Sequence, residues 1–231
     1  MYGTKLPFLL EKEKDLCKNL GLKIISDAYK QLEGPIIAIG GYSGVGKDTL
    51  ANHLKLLLKK RFHIDLNTIG AGTIMRKFAT EHGYSQAYLH EFTQKDKEFS
   101  RKVDHYIDER TLSEALTMQK GIFIGRMAPF VIGDWGFSIW VKTELEVNAE
   151  RIIKDPHREE YGMNFEQVLE SLKKRDITDR ERLEQNYRIK IDHLIPTVNL
   201  ILDNSDKNIE DTVEIAYNKI KNFYNLTDKI Q

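Results

Sequence analysis

Apolar positions recur along the chain in two rhythms. Ile36-Ile37-Ala38-Ile39 and Gly121-Ile122-Phe123-Ile124 are short unbroken apolar runs beside glycine. Runs of this kind describe strands buried on both faces. Phe137 to Val141 and Leu200-Ile201-Leu202 have the same character, and Leu66 to Ile69 is a weaker candidate. Between these runs the spacing is helical. Leu50, Leu54, Leu57 and Leu58 share one side of a helix expected from Lys47 to about Lys60. Further helices are expected at Ile74 to Glu81, Gln94 to Gln119, Glu144 to Lys154, Phe165 to Asn186 and Ile209 to Phe223. Strands alternating with helices predict an α/β fold with a central parallel sheet covered on both faces. Ligands of such sheets lie beyond the carboxyl ends of the strands.

Residues 1–34 stand apart from this alternation. Leu9, Leu10, Leu16, Leu20 and Leu22 recur among Lys and Glu, as on a helix with one apolar side, and Gly34-Pro35 ends the pattern. The segment is expected to be an N-terminal helical extension to a domain spanning 35–231. A lid, a dimer contact and plain packing are all open to it.

Composition narrows the partners. Apolar residues make up 41% of the 231, enough for a core. Lys+Arg 35 balances Asp+Glu 35, a neutrality that argues against nucleic acid or a membrane surface, since both reward a positive field. The single cysteine, Cys17, excludes an internal disulfide and a Cys-rich metal site. No apolar run has the length of a membrane span, and Met1 to Lys14 carries charge where a signal peptide needs an apolar stretch. A cytoplasmic protein is expected. The histidines lack metal-ligand spacing, and Phe62, Phe78, Phe92 and Trp140 read as core.

Gly41-Tyr42-Ser43-Gly44-Val45-Gly46-Lys47 lies between the first strand and the first helix. This glycine spacing lets backbone N–H groups converge on phosphate oxygens at a helix start, where Lys47 reaches the β- and γ-phosphates of a nucleoside triphosphate. The fold expected is therefore the three-layer α/β/α P-loop NTPase fold. Gly41, Ser43, Gly44, Val45, Gly46, Lys47 and Asp48 are the expected ATP-binding residues. Asp48 stands where the motif has Ser or Thr, so Thr49 is expected to supply the hydroxyl for Mg²⁺.

A second constellation is Lys174-Arg175-Asp176-Ile177-Thr178-Asp179-Arg180-Glu181-Arg182. Arg175, Asp179 and Arg182 stand at i, i+4 and i+7 and share one helix face. Two guanidiniums flanking a carboxylate can clamp phosphates and hold a ribose hydroxyl, as phosphoryl transfer requires. A solvated helix with pairs such as Asp176–Arg180 is the plainer alternative.

Here the chain, from about Ile36 to Ile220, resembles the cytidylate kinase family of nucleoside-monophosphate kinases, in its archaeal-like branch. Asn164-Phe165-Glu166, Lys174-Arg175-Asp176, Asp179-Arg180 and Arg182 resemble the family's acceptor-and-lid region. Gly72-Thr73-Ile74-Met75-Arg76 resembles its segment after the second strand. Asp104-His105-Tyr106-Ile107-Asp108-Glu109-Arg110 resembles its acceptor helix, and Gly125-Arg126 its Gly-Arg pair. Ala149-Glu150-Arg151 resembles the helix leading to the lid, and Asn204-Ser205 the C-terminal end. Met127 stands where bacterial members have an aspartate.

The resemblance implies a helical acceptor-binding region at about 73–120 and an arginine-rich lid at about 155–190. It implies Arg76, Arg110, Arg126 and Asp179 on the acceptor, Asp104 and Asp108 near it, and Arg151 on the donor side. Lys47, Arg175, Arg180 and Arg182 would meet the transferred phosphoryl group. For Asp104 and Asp108, ion pairs with Arg101 and Lys102 are an equal alternative. The activity implied is transfer from Mg-ATP to CMP or dCMP by a monomer or homodimer. Another acceptor, a metabolite hydroxyl or a non-catalytic nucleotide-gated module stays open.

Overall fold

The computed structural model describes residues 3–227. Residues 1–2 of the expected extension and 228–231 of the expected domain lie outside the described residues. A 3-10 turn at Pro7–Leu9 leads into α1 (Leu10–Leu20), and another lies at Ala28–Gln31. Then follow β1 (Ile36–Gly41), α2 (Lys47–Phe62), β2 (Thr68–Gly70), α3 (Ala71–His82), α4 (Gln86–Lys95) and α5 (Lys97–Met118). The second half contains β3 (Gly121–Ile124), α6 (Ala128–Ile132), β4 (Phe137–Lys142), α7 (Leu145–Lys154), α8 (Phe165–Tyr187), α9 (Ile191–Leu194), β5 (Leu200–Asp203) and α10 (Ile209–Tyr224).

The five strands form one sheet in the order β2-β3-β1-β4-β5. Every pairing is parallel, with Ile37 of β1 opposite Ile122 on one side and Phe137 on the other. Successive residues of a strand face opposite sides, and β1 divides accordingly. Ile37 and Ile39 enter a core with Leu54 and Leu58 of α2 and Tyr217 and Ile220 of α10. Ile36 and Ala38 enter a core with Leu112 and Leu116 of α5 and Phe130 of α6. The three-layer α/β/α architecture follows from this division, and all five expected strands are present.

One expectation needs correction, and one helix is new. The helix expected from Gln94 to Gln119 begins at Lys97 as α5, and Gln94 and Lys95 end a separate helix, α4. Asp96 ends α4 and caps α5, its carboxylate accepting from the Glu98 and Phe99 amides at 2.9 and 3.0 Å. Tyr84, Tyr88 and Phe92 stack in series, and Phe99 meets Phe92 edge-on across that junction. Short α6 had no counterpart in the sequence reading. Its five residues are all buried, which leaves no polar face to create a period.

The segment before Pro35 lies against the body. Leu6 and Leu9 are fully buried, in the same core as Phe130 and Trp135. The Lys5 amide donates to Phe130 O at 2.8 Å and Thr4 Oγ1 donates to it at 3.1 Å. Glu13, also fully buried, accepts from the Thr4 amide and from Trp135 Nε1.

Candidate active site

β1 delivers the chain to Gly41, and α2 begins at Lys47. Gly44 and Gly46 between them adopt φ of 80° and 88°, the left-handed region that glycine enters freely. At Gly44 a Cβ would also lie 2.8 Å from Asn148 Oδ1 and 2.9 Å from Ile152 Cδ1. Three loop carbonyls are tied away from the turn. Tyr42 O accepts from Lys47 Nζ at 2.5 Å, Ser43 O from Asn148 Nδ2 at 3.0 Å, and Val45 O from Asn204 Nδ2 at 3.1 Å. With its carbonyls engaged, the loop presents N–H groups and the positive end of α2 to an anion.

Asn204 is itself fixed. Its Oδ1 accepts from Thr143 Oγ1 at 2.6 Å and from Arg151 Nη1 at 3.1 Å. Arg151 Nη2 donates to Asn204 O and Lys207 O. Arg151 thereby links α7 to the loop before α10. It lines a cavity of about 290 Å³ with Gly44, Val45, Gly46 and Thr49.

A larger cleft of about 1350 Å³ opens on the other side of the loop. Gly41, Ser43, Lys47 and Asp48 form its floor; Arg76, Asp104, Asp108, Arg126 and Met127 contribute from α3, α5 and the end of β3. Arg175, Asp179 and Arg182 close it from α8. Asp179 sits between two guanidiniums. Arg126 pairs with one of its oxygens and Arg182 approaches the other at 3.6 Å. Arg182 also pairs with Asp104, which accepts from Asn186 Nδ2 at 2.7 Å. Arg126 reaches back to Ser43 Oγ at 3.5 Å, so the loop, β3 and α8 meet at one cation. Its buried Nε has no hydrogen-bond partner among the described residues, nor has the buried Oδ1 of Asp176.

The charges shape the titrating groups. Burial lowers the Lys47 ammonium to about 8 and Arg126 adds to this, against the opposing pull of Asp48, Asp176 and Asp179. Burial raises Asp108 well above the usual carboxylate range, although Tyr187 donates to its Oδ2 at 2.6 Å. Burial also raises Asp176, with Arg126 opposing.

Some expected residues fall elsewhere. Arg110 pairs with Glu114 at 3.1 Å on the outer side of α5 and does not line the cleft. Six residues after Asp104 the helix has turned by about 600°, so the two cannot share a direction. Arg180 pairs with Asp192 at 3.0 Å, in place of the Asp176 pair considered from sequence. Its guanidinium lies 4.9 Å from the Tyr42 ring, off the cleft surface. Arg175 lines the cleft but is about half exposed, 3.9 Å from Glu160, so the second guanidinium at Asp179 comes from Arg126. Thr49, expected at the metal, opens on the smaller cavity; Asp48 shares the cleft with Lys47. Asp104 and Asp108 use α8 partners rather than Arg101 and Lys102. Asn148, Asn186 and Tyr187 escaped the sequence reading. Their partners lie from 79 to 105 residues away, and no local spacing signals them.

Among the described residues, no helix is long and apolar enough to cross a membrane. Residues 37–170 match the model of the AAA domain family. The cytidylate kinase of Methanocaldococcus jannaschii is 31% identical over 191 residues, covering 81% of this chain and 98% of that protein. The cytidylate kinase of Pyrococcus abyssi is 30% identical, covering 82% and 95%, and that of Methanospirillum hungatei 29%, covering 80% and 96%. Among solved structures, an uncharacterized protein from Eubacterium ventriosum superposes with a TM-score of 0.59 at 14% identity, covering 81% of this chain and 98% of that one. Shikimate kinase from Bacteroides thetaiotaomicron superposes with 0.51 at 14%, covering 80% and 97%. These two speak to the fold alone. With a phosphate loop facing an arginine-lined cleft and relatives matched over nearly their whole length, the chain belongs to the cytidylate kinase family and is a P-loop kinase.

Proposed function

We propose that this protein transfers the γ-phosphoryl group of ATP to a nucleoside monophosphate, with CMP or dCMP as the acceptor. The arrangement of Arg126, Asp179 and Arg182 facing Lys47 across one cleft carries the reading. Two groups of cations lining one cleft suit a donor triphosphate and an acceptor monophosphate. The archaeal relatives' printed activity supports the choice of cytidine.

In this reading an oxygen of the acceptor phosphate attacks the γ-phosphorus, and the bond to the β–γ bridging oxygen breaks. The products are ADP and a nucleoside diphosphate. The acceptor phosphate is already ionised, so no general base is needed, and in-line placement does most of the work. Lys47 meets donor oxygens, Arg126 and Arg182 hold the acceptor phosphate, and Asp179 holds its sugar. Arg76 borders the acceptor end. Arg151 sets the smaller cavity's wall for the rest of the donor.

Among the described residues no cluster of three metal-ligating groups exists. Mg²⁺ binds through one or two protein oxygens plus substrate phosphates, and Asp48 lines the cleft beside Lys47. Asp48 would help hold it, directly or through water, and Thr49 is left to the donor's far end. When bound, the ion neutralises charge on the β- and γ-oxygens.

The test is an acceptor panel of nucleoside and deoxynucleoside monophosphates with Mg-ATP, followed by coupled ADP release. Turnover is expected with CMP and dCMP above the rest. Absence of turnover with every monophosphate would overturn the proposal.

A further inference from the structure

The N-terminal segment touches the back of the cleft at two places. Phe8 stacks on His105 of α5, ring centroids 3.9 Å apart and planes at 15°. It also meets Tyr187 at the end of α8, at 5.7 Å, and His105 and Tyr187 lie 5.6 Å apart. Tyr187 lines the cleft and holds buried Asp108, which lines it too. Two residues of the same segment seize the helix after Arg126 and Met127: Thr4 and Lys5 both bond Phe130 O. So one short stretch props both the α5–α8 wall and the α6 wall of the acceptor end. Among the described residues the segment shares its core with Tyr42 of the phosphate loop, while Lys47 and the lining of the smaller cavity lie outside that core.

We infer that the N-terminal segment is a positioning element for the acceptor, with Phe8 acting through His105 and Tyr187 on Asp108. The inference rests on the proposed kinase reading and goes beyond it, giving an assignment to a segment that reading leaves aside. Phe8 is a positioning residue and touches no reacting atom. Its ring fills the angle between α5 and α8. Without it, His105 and Tyr187 can relax outward and carry Asp108 with them. A displacement of about an ångström in a positioning group costs up to about a hundredfold in such reactions.

The experiment compares full-length wild type, Phe8→Ala, Phe8→Tyr and Leu9→Ala. The last removes buried apolar volume from the same segment without removing a ring from the stack. Steady-state KM is measured separately for CMP and for ATP, alongside the thermal shift produced by each nucleotide alone. Phe8→Ala is expected to raise the CMP KM about tenfold and shrink the CMP-induced shift, leaving the ATP KM within about twofold. Phe8→Tyr keeps the ring and restores the CMP KM. Leu9→Ala lowers the melting temperature of the unliganded protein without separating the two KM values. Equal effects on CMP and ATP in Phe8→Ala, or no effect on either, overturn the inference. If wild type responds to no monophosphate, the kinase reading fails and the inference falls with it. If wild type responds and Phe8→Ala responds equally, only the inference falls.

Discussion

Lys47 carries the clearest pH signature. Its ammonium titrates near 8 in the unliganded protein because burial and Arg126 disfavour the charge. A bound triphosphate restores the favourable environment, so binding draws a proton onto Lys47 as pH rises past that value. ATP affinity should accordingly be flat below about pH 8 and weaken above it, approaching tenfold per unit. Titration calorimetry in buffers of different ionisation enthalpy checks it: proton uptake at pH 9 is expected, and a pH-independent Kd would refute the assignment. The loop glycines and Lys47 are legible in sequence because their spacing is local. Asn148 is not, and Asn204 stood out only by resemblance and without this role, yet they hold Ser43 O and Val45 O. Asn148→Ala frees a carbonyl and opens space beside Gly44. It should cost about 1–2 kcal/mol of ATP binding, read as a Kd increase of about five- to thirtyfold. An unchanged Kd would show that the tie is dispensable.

At the scale of elements, the issue is which arginines face the cleft. Arg110, Arg175, Arg180 and Arg182 are alike in charge and are all expected at the site from sequence, and only packing sorts them. α5 turns Asp104 and Asp108 toward α8, which leaves Arg110 on the other side with Glu114. α8 in turn gives Asp179 and Arg182 to the cleft and Arg180 to Tyr42 and Asp192. Helical period alone was enough to align 175, 179 and 182; the neighbour that completes the Asp179 site, Arg126, comes from the sheet and could be paired with it only through tertiary structure. The consequence is a ranking. Arg126→Ala should lower kcat/KM for the acceptor by at least about a hundredfold, because it removes a half-buried cation that joins the phosphate loop to Asp179. Arg110→Ala should stay within about twofold, since a surface ion pair is worth little. Comparable losses in the two variants would mean that α5 presents a different face during turnover than the one described.

For the whole molecule, the central question is how the segment before Pro35 joins the rest. Its leucine period is plain in the sequence, but what it packs on is set by contacts more than a hundred residues away. One of them is a buried carboxylate. Glu13 Oε1 accepts from the Thr4 amide at 2.9 Å and Trp135 Nε1 at 2.5 Å, and Oε2 has no partner among the described residues. Burial, opposed by these two hydrogen bonds, raises its pKa from the ordinary carboxylate value. A carboxyl with a raised pKa binds its proton more tightly folded than unfolded. The stability it gives is therefore full below the unfolded value and declines as pH rises through the folded one. Glu13→Gln keeps an acceptor for Thr4 and Trp135 and cannot ionise. Its melting temperature should rise by a few degrees relative to wild type on going from pH 5 to pH 8, the direction in which wild type must bury a charge. Glu13→Leu strands both donors and should be less stable at every pH, by about 2–4 kcal/mol. Parallel melting curves for wild type and Glu13→Gln across that range would mean that Glu13 keeps one protonation state in both forms, and that the N-terminal segment is docked without any cost that pH can reveal.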